Sequence, residues 1–167
     1  MIQGPLGLKA LEYIRHSRKF ISPLFPVTWP EGGTLDAGEH EPLYYFTDRR
    51  IPRIPHRSPS KHCHCGIHAS LDTDTLSGYG IGEKALVVVE GQGRWFLHER
   101  GWRAAHAEVV WVIGWTEGMG YSRYADAKVY FDANLIALDD AIERIRFQWE
   151  LLAMKWPYGG NDEKVSM

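Results

Sequence analysis

Between His56 and His68 the chain carries six side chains that bind metals well: His56, His62, Cys63, His64, Cys65 and His68. They include both cysteines and four of the eight histidines of the protein. No other feature constrains the fold as much, because a metal held by such a cluster can pin irregular backbone that buries little apolar surface. Zinc takes four ligands in a tetrahedron, and thiolate and imidazole are donors it favours. In an extended segment residues i and i+2 share a face, so Cys63 and Cys65 project together and His64 points away. Gly66 follows directly. It permits a tight turn and lets backbone N–H groups approach the sulfurs. A disulfide between Cys63 and Cys65 would be strained, because residues two apart fit its geometry poorly. Reduced, closely spaced cysteines point to a cytoplasmic protein and to metal binding or redox chemistry.

Two further ligands are needed. His56 stands at the start of a proline-restrained segment, and His98 at the end of a predicted aromatic strand. A zinc site of Cys63, Cys65, His98 and His56 would clamp the loop of residues 47–69 to a sheet. His62, His64 and His68 are rival ligands. A closed structural site fits this arrangement better than a catalytic one, which needs an open position and a base. Glu99, beside His98, is the candidate base for that alternative. Cys63 as a nucleophile lacks an accompanying acid or oxyanion element.

Around the cluster the chain divides into three regions. Residues 8–14 and 19–25 read as two strands of a hairpin, with Arg15-His16-Ser17-Arg18 as the turn; a helix from residue 6 to 14 is the rival reading. Prolines and glycines from Pro23 to Gly33 then break regular structure, and residues 34–62 form a long irregular excursion. Val87-Val88-Val89 centres a strong strand over residues 85–90. Gly91-Gln92-Gly93 predicts a turn into a partner strand at 94–98, and residues 108–115 predict a third strand. Trp95, Trp111 and Trp115 fall in these strands and are assigned to the core. Gly78-Tyr79-Gly80-Ile81-Gly82 lacks the context of a dinucleotide-binding turn and reads as a loop.

The last third changes to helical periodicity. Leu135, Leu138, Ile142, Ile145, Trp149, Leu152 and Trp156 recur at alternating spacings of three and four, which predicts one long helix over residues 133–156. Its stripe would cover the sheet, or pair two chains as a homodimer. Residues 158–167 read as a flexible tail. The fold expected is thus a single α+β domain over residues 1–157, with a small twisted antiparallel sheet, long loops and one long C-terminal helix.

With 44% hydrophobic and 24% charged residues the 167-residue chain is ordinary globular material, which excludes wholesale disorder. No apolar run is long enough to span a membrane, and residues 1–7 have neither the basic start nor the apolar stretch of a signal segment. The net charge of -2 gives no overall attraction to nucleic acid. A local basic stretch, Arg49, Arg50, Arg53, Arg57 and Lys61, could still contact phosphates, with Tyr44, Tyr45 and Phe46 nearby to stack on bases.

The pattern His56, Pro59, Cys63, Cys65, Gly66, Ile67, His68, Ala69, then Trp95, His98, Gly101, Trp102, Arg103, Ala104 and Ala107, resembles an uncharacterised family of actinobacteria and their phages. Trp29-Pro30-Glu31-Gly32 resembles an earlier element of that family. The likeness spans about residues 8–110. It departs where the family often has another cysteine, in the region of Gly38 and Glu39. The family has no assigned activity. Its resemblance implies that the segment from Trp95 to Ala107 belongs with the Cys-x-Cys segment. Together these readings favour a non-enzymatic, zinc-stabilised binding module, a phage or host accessory factor acting through a protein partner. Nucleic-acid binding through residues 49–61 and a metal-dependent hydrolase or nuclease are the alternatives.

Overall fold

A computed structural model describes residues 3–22, 27–40, 56–60, 63–74, 76, 83–116, 120–157 and 159–161 of the chain, with residues 39 and 40 described by their backbone alone. Strand β1 (Leu6–Ile14) turns back at residues 15–18 to pair antiparallel with β2 (Lys19–Ile21). The tight reversal places Arg18 at φ 56°. The hairpin reading of the sequence is therefore right, and the helix reading fails because this segment is paired along its length. The short strands β3 (Thr34–Asp36), β4 (Glu39–His40), β5 (His56–Arg57) and β6 (Ile67–Ser70) follow.

Two long strands, β7 (Lys84–His98) and β8 (Gly101–Ile113), dominate the sheet. The expected turn at Gly91-Gln92-Gly93 is absent: β7 runs through it, with only a shift of register between Gln92 and Trp95. The glycines serve close packing instead. A Cβ on Gly91 would sit 2.8 Å from the Trp102 ring, and Gly93 adopts φ 73°. The chain reverses later, at Glu99-Arg100, where His98 pairs with Gly101. One end of β7 pairs with β1, and the other end of the hairpin curls so that β8 pairs with β6 through Ile67↔Ala104 to Ser70↔Gly101. Since β6 also meets β1 at Ser70↔Leu8, the pairings close a ring of β1, β7, β8 and β6. Strand β3 lines β8 on its far edge, and β4 pairs with β5 as a separate two-stranded ribbon.

Alternation along β7 sends neighbours into two different cores. Val87 and Val89 join one apolar cluster with Phe20, Trp29, Trp95, Trp102 and Phe131; Leu86 and Val88 join another with Leu6, Leu8, Ile113 and Ile145. Helix α1 (Tyr124–Phe131) supplies Ala127 and Phe131 to the first. It is absent from the sequence-based expectation because its apolar residues form no clear stripe. Helix α2 (Leu138–Lys155) supplies Ala141 and Ile145 to the second and Leu152 to the first.

The C-terminal helix thus exists, but it starts at residue 138 rather than 133. Asp132 takes a left-handed conformation (φ 48°) that ends α1, and Leu135 lies in β9 (Asn134–Ile136), parallel to β8. A strand leading into a helix can keep Leu135 and Leu138 both turned toward the sheet, so the periodicity alone does not mark the boundary. Two other expectations need correction. Trp115 lies beyond the end of β8 and is 71% exposed, so it is not core. Residues 159–161, assigned to a flexible tail, are tied to β7: Gly160 bridges Phe96, and Asn161 Oδ1 accepts from Trp95 N–H. The glycine-rich loop of residues 78–82 and the rest of the tail lie outside the described residues. Among the described residues no helix is long and apolar enough to cross a membrane.

Candidate metal centre

Residues 34–62, expected to be irregular, carry the strands β3, β4 and β5, while residues 41–55 lie outside the described residues. The ribbon β4–β5 pairs Glu39 with Arg57 and His40 with His56, and Ser58 N–H donates to Gly38 O at 3.0 Å. The chain leaving β5 turns through residues 58–60, and Cys63 N–H donates to Ser60 O. It then crosses Gly66 into β6. Gly66 has φ 116°, a conformation a side chain strains, and a Cβ there would lie 3.2 Å from both Ala104 O and Pro59. Glycine at this position is therefore what lets the cysteine turn lie flat on β8.

This local path brings His56, Cys63 and Cys65 together. Their ligand atoms all lie within 4.8 Å of one another, and His56 Nε2 is 3.3 Å from Cys65 Sγ. Tetrahedral zinc with ordinary bond lengths spaces its sulfur and nitrogen ligands about 3.5–3.8 Å apart. The donor types and their separation therefore fit a metal ion held by these three residues, which the sequence names as ligands. Both cysteines are free and half-buried.

The sulfurs stand in different electrostatic settings. Burial pushes the Cys65 thiol up, but hydrogen bonds from Ser58, His56, the Ser60 N–H and Cys63 outweigh it and hold the thiol below its ordinary value. Burial dominates at Cys63 and raises its thiol, against the pull of the Cys65 N–H and the Arg103 charge. Backbone N–H groups do reach both sulfurs, as the Gly66 turn implies. Ser58, itself buried, joins this shell. Nothing in its residue type distinguishes it in the sequence.

Arg103 links the centre to the sheet. It lies on β8, is 4% exposed, and packs over the Phe96 ring at 4.8 Å. Its Nη1 donates to Cys65 O and its Nε to His98 Nε2, both at 3.1 Å. Burial lowers its proton affinity, and the two cysteines raise it. A buried cation needs a counter-charge, and cysteine thiolates supply one. The sequence gives no sign of this role beyond the pattern in which Arg103 takes part.

His98, the other ligand named from sequence, is not one of the three clustered residues. Its Nε2 accepts from Arg103, so that nitrogen carries no proton. Burial, then the Arg103 charge, holds the imidazole below its ordinary value. His64 is exposed, as the extended geometry predicts. His68 Nε2 is hydrogen-bonded to His64 O at 2.7 Å, and its own carbonyl accepts from Lys9 Nζ at 2.8 Å. Glu99 is exposed in the two-residue turn between β7 and β8, and Arg57 is exposed on β5. Arg49, Arg50, Arg53, Lys61, His62, Tyr44, Tyr45 and Phe46 lie outside the described residues.

No protein-family model matches the chain, and neither does any curated protein or solved structure.

Proposed function

We propose that the protein is a non-enzymatic, zinc-stabilised binding module that acts through a protein partner, an accessory factor of actinobacteria or their phages working in the cytoplasm. The observation that carries the zinc reading is the convergence of His56, Cys63 and Cys65 within 4.8 Å beside the ribbon β4–β5. Zinc there ties the ribbon β4–β5 to the turn that docks on β6 and β8. Arg103 holds the turn from below through Cys65 O and balances thiolate charge. The metal supplies cross-linking to backbone that has little apolar surface of its own.

The partner reading draws on α2. Its inner residues enter the core, but Phe147, Leu151 and Met154 repeat on its outer face at 64%, 48% and 81% exposure. Aligned apolar side chains of this kind serve protein contacts. A second copy of the chain, docking through the same face as a homodimer, is the simplest form of that partner.

Elemental analysis of the purified wild type and of Cys63→Ser tests the reading. About one zinc per chain, lost in the variant together with thermal stability, is the expected result. Protein purified without chelator that holds no metal would overturn it.

A further inference from the structure

The registers of β6, β8 and β7 set basic side chains in one row across the sheet. His68 of β6 lies opposite Arg103 of β8, and Arg103 lies opposite Phe96 of β7. Paired residues share a face, and so do residues two apart on one strand. Arg94 and His98 flank Phe96 on that face: the Arg94 guanidinium packs over the Phe96 ring at 5.6 Å, and His98 Nε2 accepts from Arg103. Lys9 reaches the row from β1, with its Nζ on His68 O. Lys9, His68, Arg103, and then Arg94 with His98 thus follow one another over four strands, about 14 Å at the usual strand spacing.

Little negative charge balances this row. Burial lowers the proton affinity of Lys9 to about 8, and its hydrogen bond goes to a neutral carbonyl. Burial holds His68 below its ordinary value, and the charges of Lys9, Arg103 and His98 add to the effect. Arg103 is lowered by burial and by Arg94, and only the two cysteines oppose them. Among the described residues no carboxylate acts on Arg103 or His98. A zinc ion held by two thiolates and a neutral imidazole has no net charge, so the proposed centre does not offset the row. Cations gathered in this way draw an anion.

The row also lacks the anchor that a protein partner uses. Phe96 is 7% exposed, beneath two guanidinium groups, and the exposed large apolar residues of the described chain all lie elsewhere. Protein interfaces centre on buried aromatic or apolar anchors; phosphate contacts need only donors and charge. A row of this length exceeds one small anion, and a single line of cations suits one backbone rather than the two of a duplex.

We propose that the row Lys9, His68, Arg103, Arg94 and His98 binds the sugar–phosphate backbone of a single-stranded nucleic acid. Recognition there is electrostatic and independent of base. None of His56, Cys63 and Cys65 is in the row, so this site stands apart from the zinc reading.

Fluorescence anisotropy of a labelled oligothymidylate, titrated with the full-length protein over a range of salt, tests the assignment. Three cations in contact, Lys9, Arg94 and Arg103, predict that log affinity falls with log salt at a slope of about −2, since each phosphate contact on a single strand contributes about −0.7. Lys9→Gln keeps a donor for His68 O, and Arg94 is exposed, so both sites tolerate substitution. Lys9→Gln and Arg94→Gln should each flatten the slope by about 0.7, and together by about twice that. Arg146→Gln, exposed on α2, removes the same charge outside the row and should leave the slope at its wild-type value. Equal flattening by Arg146→Gln and Arg94→Gln would reduce the effect to net charge and overturn the site, as would a wild type that binds no oligonucleotide at low salt. Polyglutamate that displaces the oligonucleotide at equal charge concentration would overturn the phosphate assignment in favour of an acidic polypeptide.

Discussion

At the scale of single residues the centre depends on two side chains that do not touch the metal in this reading. Arg103 is 4% exposed and donates in two directions, to Cys65 O and to His98 Nε2. Arg103→Gln leaves one of these acceptors without its donor and the thiolates without a buried counter-charge. The expected loss is about 3 kcal/mol, read from urea denaturation, since breaking a buried charge pair costs on that order. Arg103→Lys should not restore it, because an ammonium cannot reproduce the planar two-way fork. His98 makes the site sensitive to acid. Its folded pKa lies below the ordinary 6.5 because burial and then the Arg103 charge disfavour the imidazolium. Below pH 6.5 the unfolded chain therefore takes up more protons at this residue than the folded one, and stability falls as pH falls through that window. His98→Gln keeps an acceptor for Arg103 but does not titrate, so its urea midpoint should decline less between pH 6.5 and 5 than that of the wild type. An unchanged slope would show that His98 is not held neutral. Of this site, His56, Cys63 and Cys65 are legible in the sequence because their residue types and spacing suffice. Arg103 and Ser58 are not, because nothing in their type ties them to residues 38 and 7 positions away; only the pairing of β8 with β6 and the turn before Cys63 does so.

At the scale of elements, the β-rich middle and the core-facing stripe of α2 are legible because periodicity reports which faces are buried. Boundaries are legible only where a residue type enforces them. Gly91 and Gly93 show the difficulty: glycine marks a reversal and a close approach equally well, and here it is the approach that matters. Gly7 is a sharper example. It sits in the middle of β1, where glycine is usually unfavourable. A Cβ there would lie 2.7 Å from the Ala69 methyl and 2.8 Å from Trp102 Nε1. These neighbours belong to β6 and β8, so at Gly7 β1 passes close against the strands that close the ring. Gly7→Ala should destabilise the protein by about 3 kcal/mol through overpacking. Gly33→Ala is the matched control, because its Cβ would meet nothing nearer than 3.5 Å. Equal thermal midpoints for the two variants would mean that the ring opens at this point without cost.

Taken as a whole, the molecule joins two parts stabilised by different physics. The ring of β1, β7, β8 and β6 buries Val87, Val88, Val89 and Val112 completely, with helices α1 and α2 adding to the two clusters it divides. The ribbon β4–β5 and the cysteine turn have few such residues. They are held by a two-residue ladder, the hydrogen bonds of Ser58 and Cys63, the Arg103 contact to Cys65 O and, in the proposed function, the metal. Local opening free energies follow such differences in burial. Removal of the metal should therefore act unevenly. With a strong chelator, amide hydrogen exchange at Ser58 and Cys63 should accelerate markedly, because the donors lose the cross-link that holds their acceptors. Exchange at Val87 and Val89 should stay near the rate of the metal-loaded protein, because apolar burial in the sheet is unaltered. Acceleration across both parts would instead make the metal a requirement of the whole fold, and no change in either would mean that the ribbon holds itself. The uneven outcome is the one that suits a binding module: a sheet that stays folded, carrying a two-stranded ribbon and a cysteine turn that one ion holds together.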